Sequence, residues 1–351
     1  MLTTIFIFII VLSLPIFVHE LGHFVAAKLS DVRVEEVGLG MLIRIFAIKR
    51  KGRIYSLNAL PIGAFVRLTG EDGGHADDSK SFSVKSKKQR FFILVAGVVM
   101  NFLLAIVVFT VVYLFGMPEW GGEVVVKEIV ADAPAAQAGI QQGDIFLKVE
   151  GIVIETGQEI WELEKEKSGK EVSLEILRGD EILKLDVLLR SEYPEDQGPL
   201  GVVNNIRPKI VKKIKYSFFR APVEAVKLTI EMTYEMVAGL VGVVKSLLGI
   251  GQVSVEVAGF IGIGQIVNGL LGFGLIPVLQ FVGIFSLNLA LINIIPFPAL
   301  DGGRILFVLV EAVIGKKVSP KFENFVHAMG IFVILALMIL VTYKDVLRIL
   351  E

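Results

Sequence analysis

The chain has 351 residues, of which 54% are hydrophobic and 20% charged, and its mean hydropathy is +0.71. A soluble domain of this composition would expose too much apolar surface, so the composition predicts residence in a lipid bilayer. A net charge of −1 argues against a nucleic-acid partner, and the absence of cysteine excludes disulfides, thiolate metal sites and a cysteine nucleophile.

Four stretches are long and apolar enough to cross about 30 Å of hydrocarbon. We expect transmembrane helices over about 4–27, 91–115, 275–297 and 325–343. The first lacks a basic n-region and a small-residue cleavage pattern, so we interpret it as a retained helix rather than a signal peptide.

Charge predicts the orientation of these helices. Residues 28–90 are rich in Lys and Arg, with "KRKGR" at 49–53 and "KSKKQR" at 85–90. Such density beside two helix ends marks the cytoplasmic side. The basic "KKVSPK" at 316–321 predicts the same side for that loop, which leaves both termini outside.

Residues 118–203 differ from the rest in being charged and rich in alternating, strand-like runs. The run at 171–189 is typical of two strands joined by a turn at 178–181. "ADAPAAQAGIQQGDIFLKVEG" (131–151) resembles the PDZ signature, in which small residues begin a short helix and Gly-Asp leads into a strand. A PDZ fold would offer a groove where an extended peptide adds as a strand; the alternative is an unrelated small β-rich domain.

Residues 211–250 allow two interpretations. Their charges fall on one face of a helix, a pattern that suits a helix lying on the membrane surface. The competing interpretation is a fifth span. The charged positions are Glu224, Lys227, Glu231, Glu235 and Lys245.

The first span contains "HELGH" (19–23), an HExxH motif. On a helix, His19 and His23 lie about 40° apart around the axis and can share an ion, while Glu20 can reach a water on it. Neutral imidazoles without thiolates suit Zn²⁺. The alternative is a pair of interfacial histidines that cap a helix, although ionisable groups inside a span are usually functional.

Two histidines leave a catalytic zinc site one protein ligand short. Asp301, in "NIIPFPALDGGRI" (293–305), is the candidate third ligand, because irregular backbone at membrane depth is tolerated where it lines a cavity. The alternative is a helix cap at the interface. If helix 3 runs inward, Asp301 reaches the depth of His19; a fifth span over 211–250 would place it on the opposite side.

Taken together, HExxH in a first span, NxxPxPxLDGG after a third span and a PDZ-like insertion resemble the site-2 protease family of intramembrane zinc metalloproteases, of the bacterial RseP type. The resemblance implies that His19, His23 and Asp301 bind zinc and that Glu20 is the general base. It also implies that Asn293 contacts the substrate backbone. "AGVVMN" (96–101) matches the family's GxxxN element, although Val98 stands where proline is common.

That element makes Asn101 a candidate for holding the scissile carbonyl. Its alternative role is an interhelical hydrogen bond, with Gly97 at the helix contact. His75 and His327 are isolated from the ligand pattern, so we expect no metal role for either.

The family also implies a membrane re-entrant β-hairpin after helix 1. The runs at 32–40 and 53–68 are strand-like with turn residues between them, and an edge strand there could pair with an unwound substrate.

We therefore predict an integral-membrane, mainly α fold: four transmembrane helices forming a zinc-protease core, a re-entrant hairpin, an inserted extracytoplasmic PDZ-like domain and interfacial amphipathic helices. The predicted segments are helix 1 (1–29), hairpin and basic loop (30–90), helix 2 (91–116), PDZ-like domain (117–204), surface helices and linker (205–273), helix 3 (274–297), ligand segment and basic loop (298–321), and helix 4 with the C-terminus (322–351).

The predicted function is zinc-dependent hydrolysis within or next to transmembrane segments, in the bacterial cytoplasmic membrane and on its cytoplasmic side. The resemblance implies single-span substrates pre-cut by another protease, such as anti-sigma factors or signal-peptide remnants. Two other classes of function are a non-catalytic membrane PDZ scaffold and a zinc transporter. The scaffold predicts that losing Glu20 changes nothing, and the transporter predicts metal flux.

Overall fold

A computed structural model describes residues 2–75, 77–154, 157–194, 198–247, 249 and 259–350. The helices, in chain order, are α1 (Leu2–Leu29), α2 (Lys87–Phe115), α3 (Pro134–Gln137), α4 (Gly157–Glu166), α5 (Ala221–Leu247), α6 (Phe260–Leu271), α7 (Leu275–Ile294), α8 (Asp301–Ile314) and α9 (Pro320–Leu350). The strands are β1 (Val34–Arg50), β2 (Arg53–Leu68), β3 (Met117–Ile129), β4 (Ile145–Val149), β5 (Ile152–Val153), β6 (Glu171–Arg178), β7 (Glu181–Leu188) and β8 (Val202–Ile214).

The chain divides into two compact units. The helical unit combines Met1–Met117 with Lys215–Glu351, and the β-rich unit covers Pro118–Ile214. Because β8 continues to Ile214, the β-rich unit extends beyond the predicted boundary at residue 204. Residues 248 and 250–258 of the predicted linker lie outside the described residues.

Four helices among the described residues are long and apolar enough to cross a membrane. They are α1, α2, α7 and α9, which confirms the four predicted apolar helices. The apolar window of α9 is almost entirely exposed, so lipid is the medium that would cover it. In the part of the chain that the structure describes, α5 is not among the helices apolar enough to cross a membrane, although it has 27 residues.

Two of these helices begin earlier than the sequence predicts, and capping explains why. At the start of α2, the Ser86 side chain accepts the Gln89 N–H, and the Gln89 side chain accepts the Ser86 N–H in return. This capping box satisfies two backbone donors and begins the helix at Lys87 rather than at 91. At the start of α9, the Ser319 hydroxyl accepts the N–H of Phe322 in the same way.

The predicted ligand segment and basic loop at 298–321 contains the helix α8. Its Ile305 and Val308 are buried in a cluster with residues of α1 and α2, which gives the helix an apolar face to bury. Gly315 ends it in a left-handed conformation, with φ at 80°.

Strands β1 and β2 form the hairpin after α1, with the turn at Lys51 and Gly52. Along one edge, residues 36–39 pair with 64–67 of β2; along the other, they pair with 54–57 of β2. The two long strands therefore curl into a small sheet in which 64–68 is an edge. Side chains around residues 41–46 are exposed and mostly apolar, with Leu42 80% and Ile43 77% accessible.

The β-rich unit is a sheet in the order β7-β6-β4-β3-β8, with β5 paired to β4. Strands β6 and β7 pair from Glu171 with Leu188 to Arg178 with Glu181, which confirms the predicted hairpin at 171–189. The short helix α3 begins at Pro134, within the small-residue run that resembled the PDZ signature. A buried apolar cluster that includes Phe146, Leu174 and Ile176 holds the unit together.

Candidate metal centre and active site

Three predicted ligands converge although they are far apart in the chain. His19 Nε2 lies 2.9 Å from Asp301 Oδ2, and His23 Nε2 lies 3.2 Å from the same oxygen. The two imidazole Nε2 atoms are 3.1 Å apart, and their rings meet edge to face at 83°. Both histidines are buried, so the three atoms form a small triangle shielded from solvent.

The far nitrogen of each imidazole has its own partner. His23 Nδ1 is 2.9 Å from the Ile93 carbonyl oxygen, which can only accept, so His23 Nδ1 carries a proton and donates it. His19 Nδ1 is 3.4 Å from the side-chain nitrogen Nδ2 of Asn101, whereas Asn101 Oδ1 has no hydrogen-bond partner among the described residues, and exchange of the two amide atoms would satisfy both. If the Asn101 oxygen faces His19 Nδ1, it fixes the tautomer in which Nε2 is free to bind a metal.

Close packing of α1 on α2 places the histidines against the second helix. A Cβ atom on Gly22, inside HELGH, would lie 2.4 Å from the Ala96 carbonyl oxygen. A Cβ atom on Gly97 would lie 2.7 Å from both His19 Cε1 and His23 Nε2. Real Cβ atoms do not approach so closely, so hydrogen at both positions allows the helices to meet and leaves room for the imidazoles.

Asp301 is the first residue of α8 and follows a tight turn after α7. Gly302 and Gly303 face the carbonyl oxygens of Ile295 and Phe297, where a Cβ atom would lie 2.1 and 2.4 Å away. These glycines let the first helical turn of α8 pack directly on the backbone of the loop that joins α7 to α8. Backbone contacts therefore set the position of the Asp301 carboxylate.

Helix α9 supports the same turn from outside. The His327 Nδ1 atom accepts the Ala299 N–H at 3.0 Å, and Ala299 has a left-handed φ of 77°. Gly330 packs on Pro298, where a Cβ atom would lie 2.4 Å from the carbonyl oxygen. His327 thus contacts the backbone of the ligand segment.

Glu20 lies beside the triangle. Ligand atoms of Glu20, His19 and His23 lie within 4.8 Å of one another. Glu20 Oε2 accepts the Val66 N–H at 2.9 Å, and Val66 belongs to the edge segment of β2. The edge of the hairpin sheet therefore positions the Glu20 carboxylate.

The donor set fits a zinc ion. Two imidazole nitrogens and one carboxylate oxygen are the ligands of many catalytic zinc sites, which leave the fourth position for water. Tetrahedral ligands with bonds of about 2.0–2.2 Å stand about 3.3–3.6 Å apart, and the separations of 2.9, 3.1 and 3.2 Å here are a few tenths of an ångström shorter. Without a shared cation or proton, three acceptor atoms this close would repel one another.

Asn293, the remaining predicted site residue, lies half-buried in the last turn of α7. Among the described residues, no hydrogen bond joins its side chain to the triangle. Three supporting groups were not predicted from the sequence: the Ile93 carbonyl, the Val66 amide and the Ser286 hydroxyl, which donates to the main-chain carbonyl of Asn101 at 2.9 Å. The two backbone groups carry no signal of their own in the sequence.

The profile of peptidase family M50 matches residues 7–337, nearly the whole chain. The chain belongs to peptidase family M50. A Clostridium perfringens protein named as a candidate zinc metalloprotease is 33% identical over 337 residues, covering 95% of this M50 peptidase and 96% of the relative. The zinc metalloprotease RasP of Oceanobacillus iheyensis is 26% identical, with 99% of each chain covered. The regulator of sigma-W protease RasP of Bacillus subtilis is 25% identical, with 98% of each covered.

Solved structures similar to part of this M50 peptidase include PDZ domains of SdrC-like proteins. The one from Listeria monocytogenes is 23% identical, covers 23% of this chain and 86% of its own, and has a TM-score of 0.22. The one from Listeria innocua is 20% identical, covers 24% and 93%, and has the same TM-score of 0.22. Family membership, the HExxH motif and the four apolar helices identify this M50 peptidase as an intramembrane zinc metalloprotease.

Proposed function

We propose that this M50 peptidase hydrolyses peptide bonds within or next to the transmembrane segments of single-span proteins, at a zinc ion held by His19, His23 and Asp301. The single observation that carries the proposal is the convergence of these three side chains to within 3.2 Å, across 282 residues of chain. The alternative of a membrane scaffold that binds peptides without cutting them leaves this convergence unexplained.

Glu20 is the general base in this proposal. When bound, zinc supplies a Lewis acid that polarises the carbonyl and lowers the pKa of its water. Glu20 takes a proton from the attacking water and then gives it to the leaving amide nitrogen, so one carboxylate serves both halves of the reaction. The hydrogen bond from the Val66 amide keeps one oxygen of Glu20 in place and leaves the other free for the proton.

The edge of β2 is the proposed binding surface for the substrate backbone. A transmembrane helix hides its carbonyls in its own hydrogen bonds, so it must unwind before hydrolysis. An unwound segment can add to the sheet as a strand along 64–68 by donating its own N–H groups to the carbonyls of this edge, because the Val66 and Leu68 N–H groups are already bound by Glu20 and Glu71. This edge leads to the catalytic base because Val66 lies on it. Asn293 would contact the substrate backbone, and Asn101 would either hold the scissile carbonyl or orient His19.

The basic loops support a site on the cytoplasmic side of a bacterial cytoplasmic membrane, with the β-rich unit and both termini outside. We propose that the exposed apolar hairpin re-enters the membrane and that α5 lies on the opposite surface. The Bacillus subtilis relative is named as a regulator of sigma-W protease, which makes anti-sigma factors candidate substrates. These substrates would arrive pre-cut by another protease, and the PDZ-like unit would exclude bulky ectodomains or capture new carboxyl termini.

Co-expression with a tagged, single-span substrate tests the activity. We expect the wild-type chain to cut within or beside the span and Glu20→Gln to lose cleavage, because an amide cannot accept the proton from water. Zinc content, measured on the purified variant by elemental analysis, should stay at one ion per chain.

Asp301→Ala is the matched variant that tests metal binding, whereas Glu20→Gln tests the general base. It should lose both zinc and cleavage, since two imidazoles alone hold the ion weakly. Cleavage that persists in Glu20→Gln would remove Glu20 from its role, and a wild-type chain that binds no zinc would refute the proposal as a whole.

A further inference from the structure

Two carboxylates occupy neighbouring positions on one edge of the hairpin sheet. Glu20 accepts the Val66 N–H at 2.9 Å, and Glu71 accepts the Leu68 N–H at 3.3 Å. Residues two apart in a strand point their amides to the same side. Glu20, from α1, and Glu71, which follows β2, are therefore held in register by the same strand.

Glu71 also reaches the helix that carries the third ligand. Its other oxygen, Oε1, forms an ion pair with the Arg304 guanidinium, and Arg304 stands three residues after Asp301 on α8. Side chains three apart share one helix face, so this ion pair lies one turn from the ligand. A continuous set of contacts thus runs from Asp301 through α8, Arg304 and Glu71 to the strand that holds Glu20.

The surroundings of the pair favour a rigid arrangement. Glu71 and Arg304 line a cavity of about 210 Å³, and each side chain is only 28% exposed. Burial opposes the charged guanidinium, yet the neighbouring Glu71 keeps the pKa of Arg304 above its ordinary value. A half-buried ion pair contributes little to net stability but is geometrically specific.

We propose that Glu71 and Arg304 are positioning residues whose ion pair holds Asp301 in register with the strand edge that orients Glu20. The inference rests on the proposed function, because it concerns the relative placement of a metal ligand and the base. Breaking the ion pair would leave every ligand present but would let α8 shift relative to α1. Zinc would then bind more weakly.

A double-mutant cycle on zinc affinity tests this inference. The full-length variants Glu71→Gln, Arg304→Met and the double variant would be purified in detergent, and their zinc affinity measured by competition with a chromogenic chelator. Each single variant should bind zinc about 10–100-fold more weakly, as for other residues that orient metal ligands. The double variant should bind no more weakly than the weaker single variant, because both changes remove the same contact.

Arg90→Met is the matched control. The Arg90 Nη2 atom lies 2.5 Å from Glu311 Oε2, so this pair joins α2 to α8 and is more deeply buried, but it lies near the far end of α8. Its loss should lower the unfolding temperature at least as much as Arg304→Met and leave zinc affinity unchanged. Hydrogen exchange of residues 64–68 should rise in Glu71→Gln and not in Arg90→Met.

Three results would overturn the inference: wild-type zinc affinity in Glu71→Gln and Arg304→Met, strictly additive losses in the double variant, or an equal loss of affinity in Arg90→Met. These outcomes differ from failure of the proposed function, in which the wild-type chain itself would not bind zinc. Glu71→Gln is nearly isosteric, so it keeps the test available if Arg304→Met does not fold.

Discussion

At the residue scale, the proposed metal centre depends on which nitrogen of each imidazole carries the proton. The Ile93 carbonyl fixes His23, and the Asn101 amide is placed to fix His19. Both partners come from α2, although the histidines come from α1. In the proposed site, the second helix therefore supplies the groups that orient both imidazoles.

Replacing Asn101 by Leu separates its two proposed roles. If Asn101 orients His19, Asn101→Leu should weaken zinc binding about 10–100-fold and reduce kcat in proportion to the metal lost. If it holds the scissile carbonyl, zinc affinity should stay at the wild-type value while kcat falls. Chelator competition and steady-state cleavage of a soluble reporter peptide, run on the same preparation with saturating zinc as a control, distinguish these results.

The proposed site residues could be chosen from sequence because ligand chemistry is specific. HExxH spacing identifies His19, Glu20 and His23 without knowledge of the fold. Choosing Asp301 as a ligand required two further arguments. Its neighbouring prolines and glycines indicate irregular backbone, and the predicted orientation of the spans places it at the same membrane depth as His19. The Ile93 and Val66 groups could not be predicted, since every residue carries such an amide and only the fold brings these two to the site.

At the scale of elements, glycine determines how closely α1 and α2 approach. Gly97 faces both imidazoles across the helix contact, and Gly22 faces the α2 backbone. Because neither glycine has a side chain, α1 and α2 approach closely enough for the imidazoles of α1 to pack against the backbone of α2.

Gly97→Ala should displace the imidazoles. The added methyl would lie 2.7 Å from His23 Nε2, in space that a metal ligand needs, so we expect loss of stoichiometric zinc and of cleavage. Gly239→Ala is the control, because it is also a helical glycine but has open space where the methyl would go. That variant should be neutral or more stable by up to about 1 kcal/mol. Full zinc occupancy in Gly97→Ala would contradict the packing argument.

Helix ends and short helices were harder to predict than spans. The apolar spans are fixed by length and composition, whereas the start of α2 depends on a capping box at Ser86 and Gln89. Helix α8 was expected as a segment without helix because two glycines suggested a break. Its apolar face packs on α1 and α2 instead, and tertiary contacts override the local preference.

At the scale of the whole molecule, the chain combines a helical unit with exposed apolar spans and a β-rich unit with its own core. The composition shift at residue 118 predicted that division, and the alternating runs predicted strands. The end of the β-rich unit was missed because β8 continues into the charged residues 205–214, which look like a linker in sequence.

The proposed orientation can be tested on a chain that contains no cysteine. Asp180→Cys lies in the exposed turn between β6 and β7, and Lys316→Cys in the exposed loop after α8. A membrane-impermeant maleimide should label Asp180→Cys in intact cells stripped of their outer layers. Lys316→Cys should react only after permeabilisation. The reverse pattern would invert the molecule and place the metal centre outside.

Three glycines surround the turn before Asp301, and each faces a carbonyl oxygen too close for any larger residue. A ligand fixed by its backbone has little freedom to retreat when a wider ion enters. The site would then select divalent cations by their radius, and the rigid main chain rather than the chemical type of the ligands would be the cause. Cadmium, which prefers longer bonds to the same atoms, should therefore compete poorly with zinc at this centre.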